Sequence, residues 1–140
     1  MTSHIQLNAI KQGVWVDTLL PSIKEKIASF FLLYNAPTLS INITNQSVQR
    51  LALIYGLSKK GKRNKQAILQ TQLKTTTFFD PVFHKDDFYP LLTGLLKFHY
   101  HTISIDWKDS IEVSKVINYE MNIGGNFFLQ NKSFIGAPQI

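Results

Sequence analysis

Apolar residues in the first quarter of the chain recur every three or four positions, the spacing of one helical face: Ile23, Ile27, Phe30, Phe31 and Tyr34. Residues 4–34 are therefore predicted to form one or two helices, with Pro21 in the first turn of the second. Farther along, residues 39–43 alternate between apolar and polar side chains, which predicts a short extended stretch.

A helix–loop–helix unit is predicted in the middle of the chain. Thr44 or Asn45 is a suitable N-cap for its first helix, and Gly56 is a natural stop. The loop that follows, residues 57–64, is rich in lysine and arginine. The second helix is expected to span Lys65–Leu73, with its isoleucine and leucine side chains pointing inward.

The C-terminal half is predicted to contain a helix and a small antiparallel β-structure. The helix covers residues 88–98. Residues 100–107 and 112–123 are expected to be strands, because apolar and polar residues alternate along them. Gly124-Gly125-Asn126 predicts a hairpin turn, from which residues 127–129 return as a last strand.

Together these elements predict an α+β fold organised in three segments. Residues 1–43 form an N-terminal helical segment, residues 44–75 the basic helix–loop–helix unit, and residues 76–140 a small α/β segment with a hairpin. A linker over residues 75–84, which contains Asp80-Pro81, separates the last two. With 140 residues, 44% of them hydrophobic, the chain is also long and apolar enough to form one compact domain.

The composition argues against several classes of protein. Without cysteine, the chain has no disulfide, zinc–thiolate site or catalytic thiol. No apolar run reaches the about 18 residues of a membrane-spanning helix, so no membrane partner is expected. The first residues also lack the arginine-rich, acid-poor character of a mitochondrial transit peptide.

The net charge of +6 is concentrated in the middle of the chain. Residues 27–79 contain seven lysines and arginines and no acidic residue, whereas the rest of the chain has eight basic and nine acidic residues. Such clustering is typical of a protein that binds a polyanion, although a merely solvated basic surface has the same composition. If the fold neutralises these lysines and Arg63 with carboxylates from the two ends of the chain, or buries them against another protein, the polyanion hypothesis fails.

The candidate contacts to a phosphate backbone lie in or beside the loop: Arg50, Lys59, Lys60, Gly61, Lys62, Arg63, Asn64 and Lys65. Lysine and arginine neutralise phosphates without reading base sequence, and glycine lets the backbone approach closely. The spacing from Gly56 to Gly61-Lys62 also fits a nucleotide-binding phosphate loop. That loop needs a serine or threonine after its lysine to bind magnesium, and this chain has Arg63 there.

Residues 44–74 resemble the SAP motif, a compact helix–loop–helix module that binds DNA. Apolar residues on the first helix are followed by Gly56-Leu57-Ser58, by Gly61, and by Lys65-Gln66-Ala67-Ile68-Leu69 at the start of the second helix. The loop is slightly longer than the family pattern, and arginine and glutamine stand where acids often occur. The resemblance implies DNA binding through the loop, in the mitochondrion or the nucleus.

Ile103-Ser104-Ile105-Asp106 and the residues after it resemble the opening strands of an RNase H-type nuclease domain. Fungal mitochondrial Holliday-junction resolvases combine such a domain with a SAP-like N-terminal segment, and Asp106 matches their first metal-binding carboxylate. Two-metal catalysis needs several converging carboxylates. Here only Asp109, Glu112 and Glu120 follow, so a degenerate or partial resolvase is an alternative, without nuclease activity expected of this chain alone.

The sequence therefore predicts an intracellular, non-catalytic protein that binds nucleic acid, with DNA favoured over RNA. It implies no cofactor, and His84, His99 and His101 with Asp86 and Asp87 form only a loose candidate metal set. The main alternative is a structural subunit of a ribonucleoprotein such as a mitochondrial ribosome. In that case the same cations neutralise RNA, and the aromatic-rich ends of the chain contact other protein subunits.

Overall fold

A computed structural model describes residues 5, 7–40, 42–59, 61–85 and 87–130. Over these residues the fold is mixed helix and sheet and mostly helical. The elements in chain order are β1 (Lys11–Gly13), α1 (Trp15–Leu33), α2 (Pro37–Ser40), α3 (Asn45–Ser58), α4 (Lys65–Leu69), β2 (Leu73–Thr77), α5 (Pro81–His84), α6 (Phe88–His99) and α7 (Ser110–Gln130).

Helix α7 lies at the centre of the fold, where it contacts α1, α3, α4 and β1. Its 21 residues make it about 30 Å long. Val113, Val116, Ile117, Met121 and Phe128 are buried at helical spacing along it. Apolar side chains from all three of the segments defined above join the same core. The helix that the sequence does not predict is thus the element on which the others pack.

The backbones of α3 and α7 come into direct contact at two glycines. A Cβ atom on Gly124 would lie 1.7 Å from the carbonyl oxygen of Ala52, and one on Gly56 would lie 2.1 Å from that of Glu120. Real Cβ atoms do not approach other atoms so closely, so only glycine fits at either position. This contact fixes where the end of α3, and the loop after it, lie on α7.

Two buried polar residues of α7 hold strand β1. The Ser114 hydroxyl accepts a hydrogen bond from the Lys11 amide (2.8 Å). The Asn118 side-chain oxygen accepts from the Gly13 amide (2.6 Å) and from the Trp15 indole N–H (2.8 Å). The Asn118 amide nitrogen donates to the Lys11 carbonyl (2.8 Å). Because these groups are partnered, burying Ser114 and Asn118 costs little free energy.

The two strands pair antiparallel, with Lys11 opposite Thr77 and Gly13 opposite Leu73. They have three and five residues, too few for a clear alternation of apolar and polar side chains. The helix predicted over residues 4–34 is therefore wrong at β1, and part of β2 lies in the stretch over residues 75–84 that is predicted to be a linker.

Three of the predicted elements are confirmed, at least in their starting points. Helix α3 begins after Thr44, whose hydroxyl accepts a hydrogen bond from the Ser47 amide (3.2 Å). Helix α6 matches the predicted helix, and α4 begins at Lys65 as predicted but ends at Leu69. The N-terminal helix is a single one, α1, with Pro21 inside it rather than at the start of a second helix.

The strands predicted over residues 100–107, 112–123 and 127–129 are wrong. Residues 110–130 form the single helix α7, and residues 100–109 contain turns and bends. Gly124 and Gly125 are therefore inside a helix and not in a hairpin turn, and Gly124 serves the close contact with α3. The extended stretch predicted over residues 39–43 is also wrong in part, because α2 covers Pro37–Ser40.

Gly124→Ala is expected to destabilise the protein by about 3 kcal/mol, because its methyl group would collide with the backbone of α3. The control is Gly94→Ala in α6, where no atom lies within 4 Å of the added Cβ. Alanine at Gly94 should stabilise the protein by about 0.5–1 kcal/mol through its higher helix propensity. Equilibrium urea unfolding followed by circular dichroism measures both changes. Equal stability of Gly124→Ala and the unchanged protein would contradict the close contact.

Candidate nucleic-acid interface

The basic loop leaves α3 after Ser58 and enters α4 at Lys65. Gly61 has a φ of 141°, a conformation that glycine adopts readily and other residues avoid. The Asn64 side chain accepts a hydrogen bond from the Ala67 amide (3.2 Å) and so caps α4. Lys60, one of the predicted contacts, lies outside the described residues. The described part of the loop therefore has a defined backbone at its glycine and at its exit.

The Arg63 side chain points inward and pairs with Glu120 of α7. Its Nε donates to Oε2 (2.9 Å) and its Nη2 to Oε1 (3.0 Å) of the carboxylate. The two side chains are 3% and 0% exposed. A charge pair so far from water is favourable only if its remaining hydrogen-bonding groups are also satisfied.

The other N–H groups of Arg63 bind carbonyl oxygens at the end of α3 and in the loop. Nη1 donates to Lys59 (3.0 Å) and to Gly61 (2.8 Å), and Nη2 donates to Gly56 (2.8 Å). A guanidinium has five N–H donors, and these bonds together with those to Glu120 use all of them. Arg63 was expected to contact phosphate, but its geometry gives it the role of holding the loop.

Tyr100 is the third member of this buried group, and we call Arg63, Glu120 and Tyr100 the Arg63 cluster. The Tyr100 hydroxyl donates a hydrogen bond to Oε2 of Glu120. Burial and then the negative charge of Glu120 raise the pKa of Tyr100 far above its usual value, so it remains a donor. Burial alone would lower the pKa of Arg63, but its hydrogen bonds to Glu120 and the charge of Glu120 outweigh this and raise it.

His99 of α6 provides a further cap at the end of α3. Its Nε2 forms a hydrogen bond with the carbonyl oxygen of Leu57. The last carbonyls of a helix have no partner within the helix, and here Arg63 and His99 serve those of Gly56 and Leu57. The sequence predicts that this helix stops at Gly56. The caps from Arg63 and His99 explain why α3 instead continues to Ser58.

The remaining predicted contacts divide into two groups. Five residues are exposed in or beside the loop: Lys59, Gly61, Lys62, Asn64 and Lys65. Arg50 instead lies over the ring of Phe88, with its guanidinium carbon 5.8 Å from the ring centre. The Nε of Arg50 is buried without a hydrogen-bond partner among the described residues. The structure thus leaves the three described lysines exposed in or beside the loop, whereas both arginines contact other parts of the protein.

Glu120 lies in a stretch that the sequence predicts to be a strand, so its burial beside the basic loop is not evident from the sequence. On a helix, residues 113, 117, 120 and 124 lie on one face, and Glu120 is the carboxylate among apolar neighbours there. A carboxylate in that position needs a cation or a hydrogen-bond donor. A helical interpretation of residues 110–130 would therefore have pointed to a buried partner for one of the loop cations.

Neither enzymatic alternative has the strand that its motif requires. Gly56 lies within α3, so the basic loop follows a helix, not the strand that precedes a phosphate loop. Asp106 is exposed, and its carboxylate accepts a hydrogen bond from the Lys108 amide (3.1 Å) in a turn. Glu120 is buried in α7, where it is paired with Arg63 and not with Asp106.

The histidines of the loose metal set do not share a site either. His84 lies 3.5 Å from Asp80, His101 bonds a carbonyl of its own segment, and His99 caps α3. Within the described ranges, no group of three or more histidine, aspartate or glutamate side chains could hold a metal ion. Asp86 lies outside those ranges.

Comparison with protein-family models, with curated proteins and with solved structures gives no match to this chain. In the part of the chain that the structure describes, the helices are too short or too polar to cross a bilayer. The function must therefore be inferred from the loop and its surroundings.

Arg63→Met is expected to destabilise the protein by about 3–5 kcal/mol, because it leaves Glu120 buried without a cation. Lys62→Met, one position away and exposed, is the matched control and should change stability by less than about 0.5 kcal/mol. Adding Glu120→Leu to Arg63→Met should recover part of the loss, because the unpaired charge is removed. Urea unfolding measures all three variants, and similar stabilities for Arg63→Met and Lys62→Met would refute the proposed role of Arg63.

Proposed function

We propose that the chain is a non-catalytic nucleic-acid-binding protein that contacts the phosphate backbone through lysines in the basic loop and at the start of α4, which we call the loop lysines. The observation that carries the proposal is that the cations of this loop have two different environments. Arg63 is buried and holds the backbone, whereas Lys59, Lys62 and Lys65 remain exposed. Lysines placed in this way neutralise phosphates and read little base sequence.

Acidic residues from other parts of the chain neutralise only some of the basic segment. Of the seven cations within residues 27–79, Arg63 pairs with Glu120 and Lys74 with Asp17. Among the described residues, four others form no ion pair with a carboxylate: Arg50, Lys59, Lys62 and Lys65. Because Glu120 is buried and already paired with Arg63, it does not cancel the positive potential that these lysines create.

The shape of the loop is set by contacts within the protein, before a ligand arrives. Arg63 binds carbonyl oxygens of Gly56, Lys59 and Gly61, and Asn64 fixes the start of α4. A binding segment that is already ordered loses less conformational entropy on association. More of the electrostatic attraction is then available as affinity.

The order of α3, loop and α4 is that of the SAP motif, and this supports DNA over RNA as the partner. Helix α4 has only five residues, and Asn64 already uses one of its first N–H groups. The main phosphate contacts are therefore the lysines and not the start of α4. The same resemblance favours the mitochondrion or the nucleus as the location.

Exposed apolar side chains favour a second candidate function, that of a structural subunit in a ribonucleoprotein. Leu32 and Leu33 at the end of α1 are 67% and 69% exposed, and Phe98 on α6 is 71% exposed. Neighbouring exposed apolar side chains such as Leu32 and Leu33 are a feature of surfaces that meet another protein. In that assembly the same loop lysines would neutralise RNA.

The variant Lys62→Ala/Lys65→Ala should bind duplex DNA about tenfold more weakly at low salt than the unchanged protein. The slope of log K against log salt concentration should become shallower by about 2, because two fewer phosphates are neutralised. The matched control is Lys85→Ala/Lys108→Ala, which removes the same charge at exposed positions outside the loop and should keep the slope. Mobility shifts at two or more salt concentrations measure both.

Equal salt slopes for the two double variants would show that the loop lysines do not contact phosphates. Failure of the unchanged protein to bind duplex DNA, a four-way junction or structured RNA at low salt would overturn the whole proposal. Tighter binding to structured RNA than to either DNA would favour the ribonucleoprotein subunit.

A further inference from the structure

A groove of about 500 Å³ lies beside the loop, between α4 and the C-terminal half of α7. One stripe of α7 lines it, with residues spaced by three and four: Tyr119, Asn122, Ile123, Asn126, Phe127 and Gln130. Gln70 and Thr71, just after α4, line the opposite side together with Ala67. Lys59, one of the three exposed loop lysines, also lines this groove, so the groove and the candidate interface are continuous.

The groove combines an aromatic ring with side-chain amides. Tyr119 is half-buried, so part of its ring is accessible. Asn122 and Gln70 are accessible as well, and their amides form no hydrogen bond with other described residues. An amide both donates and accepts, which matches the edges of nucleobases. The described residues that line the groove include no carboxylate, so nothing in it repels an anion.

One lysine lines this groove, and a second lies one turn of α7 before its first lining residue, Tyr119. The Lys59 ammonium is 5.3 Å from the centre of the Phe127 ring. Lys115, one turn before Tyr119 on α7, donates a hydrogen bond to the Leu69 carbonyl at the end of α4 (2.8 Å). Residues 115 and 127 are about 18 Å apart along the helix axis. A lysine in the groove, a second one turn before Tyr119, and aromatic and amide groups between them fit a short stretch of unpaired nucleotides.

We propose that this groove receives unpaired bases of a single-stranded nucleic acid whose backbone is held by the loop lysines. The inference rests on the proposed function and adds the class of ligand, since it favours single strands over duplexes. Tyr119 provides a stacking face, and Asn122 and Gln70 bond the base edges. In a duplex the base faces are stacked on one another and are not available to Tyr119.

The test compares fluorescent oligonucleotides of equal length: single-stranded DNA and RNA of mixed sequence, an abasic single strand with the same phosphates, and a DNA duplex. The unchanged protein should bind the base-bearing strands about tenfold more tightly than the abasic strand. Tyr119→Ala should abolish this preference while leaving the affinity for the abasic strand within about twofold, and Tyr119→Phe should keep it. Phe79→Ala, which removes an exposed aromatic side chain outside the groove, is the control and should change neither affinity.

Asn122→Leu is a second variant that keeps Tyr119 and its packing, and it should weaken only the base-bearing strands. An equal loss for base-bearing and abasic strands in Asn122→Leu would overturn the assignment of the groove. Equal affinity of the unchanged protein for both kinds of strand would do the same, and would leave the proposed function intact. Absence of binding to every oligonucleotide would overturn the proposed function as well. A difference between the DNA and RNA strands identifies the source of the unpaired bases.

Discussion

The buried ion pair between Glu120 and Arg63 sets the conformation of the basic loop. A buried carboxylate alone costs several kcal/mol, so Glu120 can remain in the core only while Arg63 and Tyr100 bind it. Arg63 equally needs Glu120, because its guanidinium is also removed from water. An exposed pair such as Lys74 with Asp17 contributes about 1 kcal/mol or less and imposes no such constraint.

Helix α7 brings the rest of the protein to this cluster. Its glycine at position 124 admits the backbone of α3, and Ser114 and Asn118 hold β1 on another face. The same helix carries Glu120 inward, so the carboxylate that pairs with the basic loop is buried. The exposed charge of the loop is therefore that of its lysines, because Arg63 and Glu120 neutralise each other inside the protein.

The parts of this structure that the sequence predicted are those with strong local signals. Thr44 is a good N-cap and α6 has a clear apolar period, and both are found as expected. The glycines of α7 misled the interpretation because Gly-Gly-Asn is also a typical turn. Gly124 is required because the backbone of Ala52 lies against it. Ala52 is far away in the chain, so no local pattern reveals this contact. Arg63 likewise differs from its lysine neighbours only through Glu120, 57 positions later.

The five bonds of Arg63 also restrict the length of the segment that carries it. Surface loops usually accept insertions at a small entropic cost. Here one added residue before Arg63 would displace its Cα by about 3.5 Å, and hydrogen bonds fail over a much smaller distance. The number of residues between α3 and Arg63 is thus fixed by the reach of one side chain. A related chain with a different number must carry something other than an ionised acid at the position of Glu120.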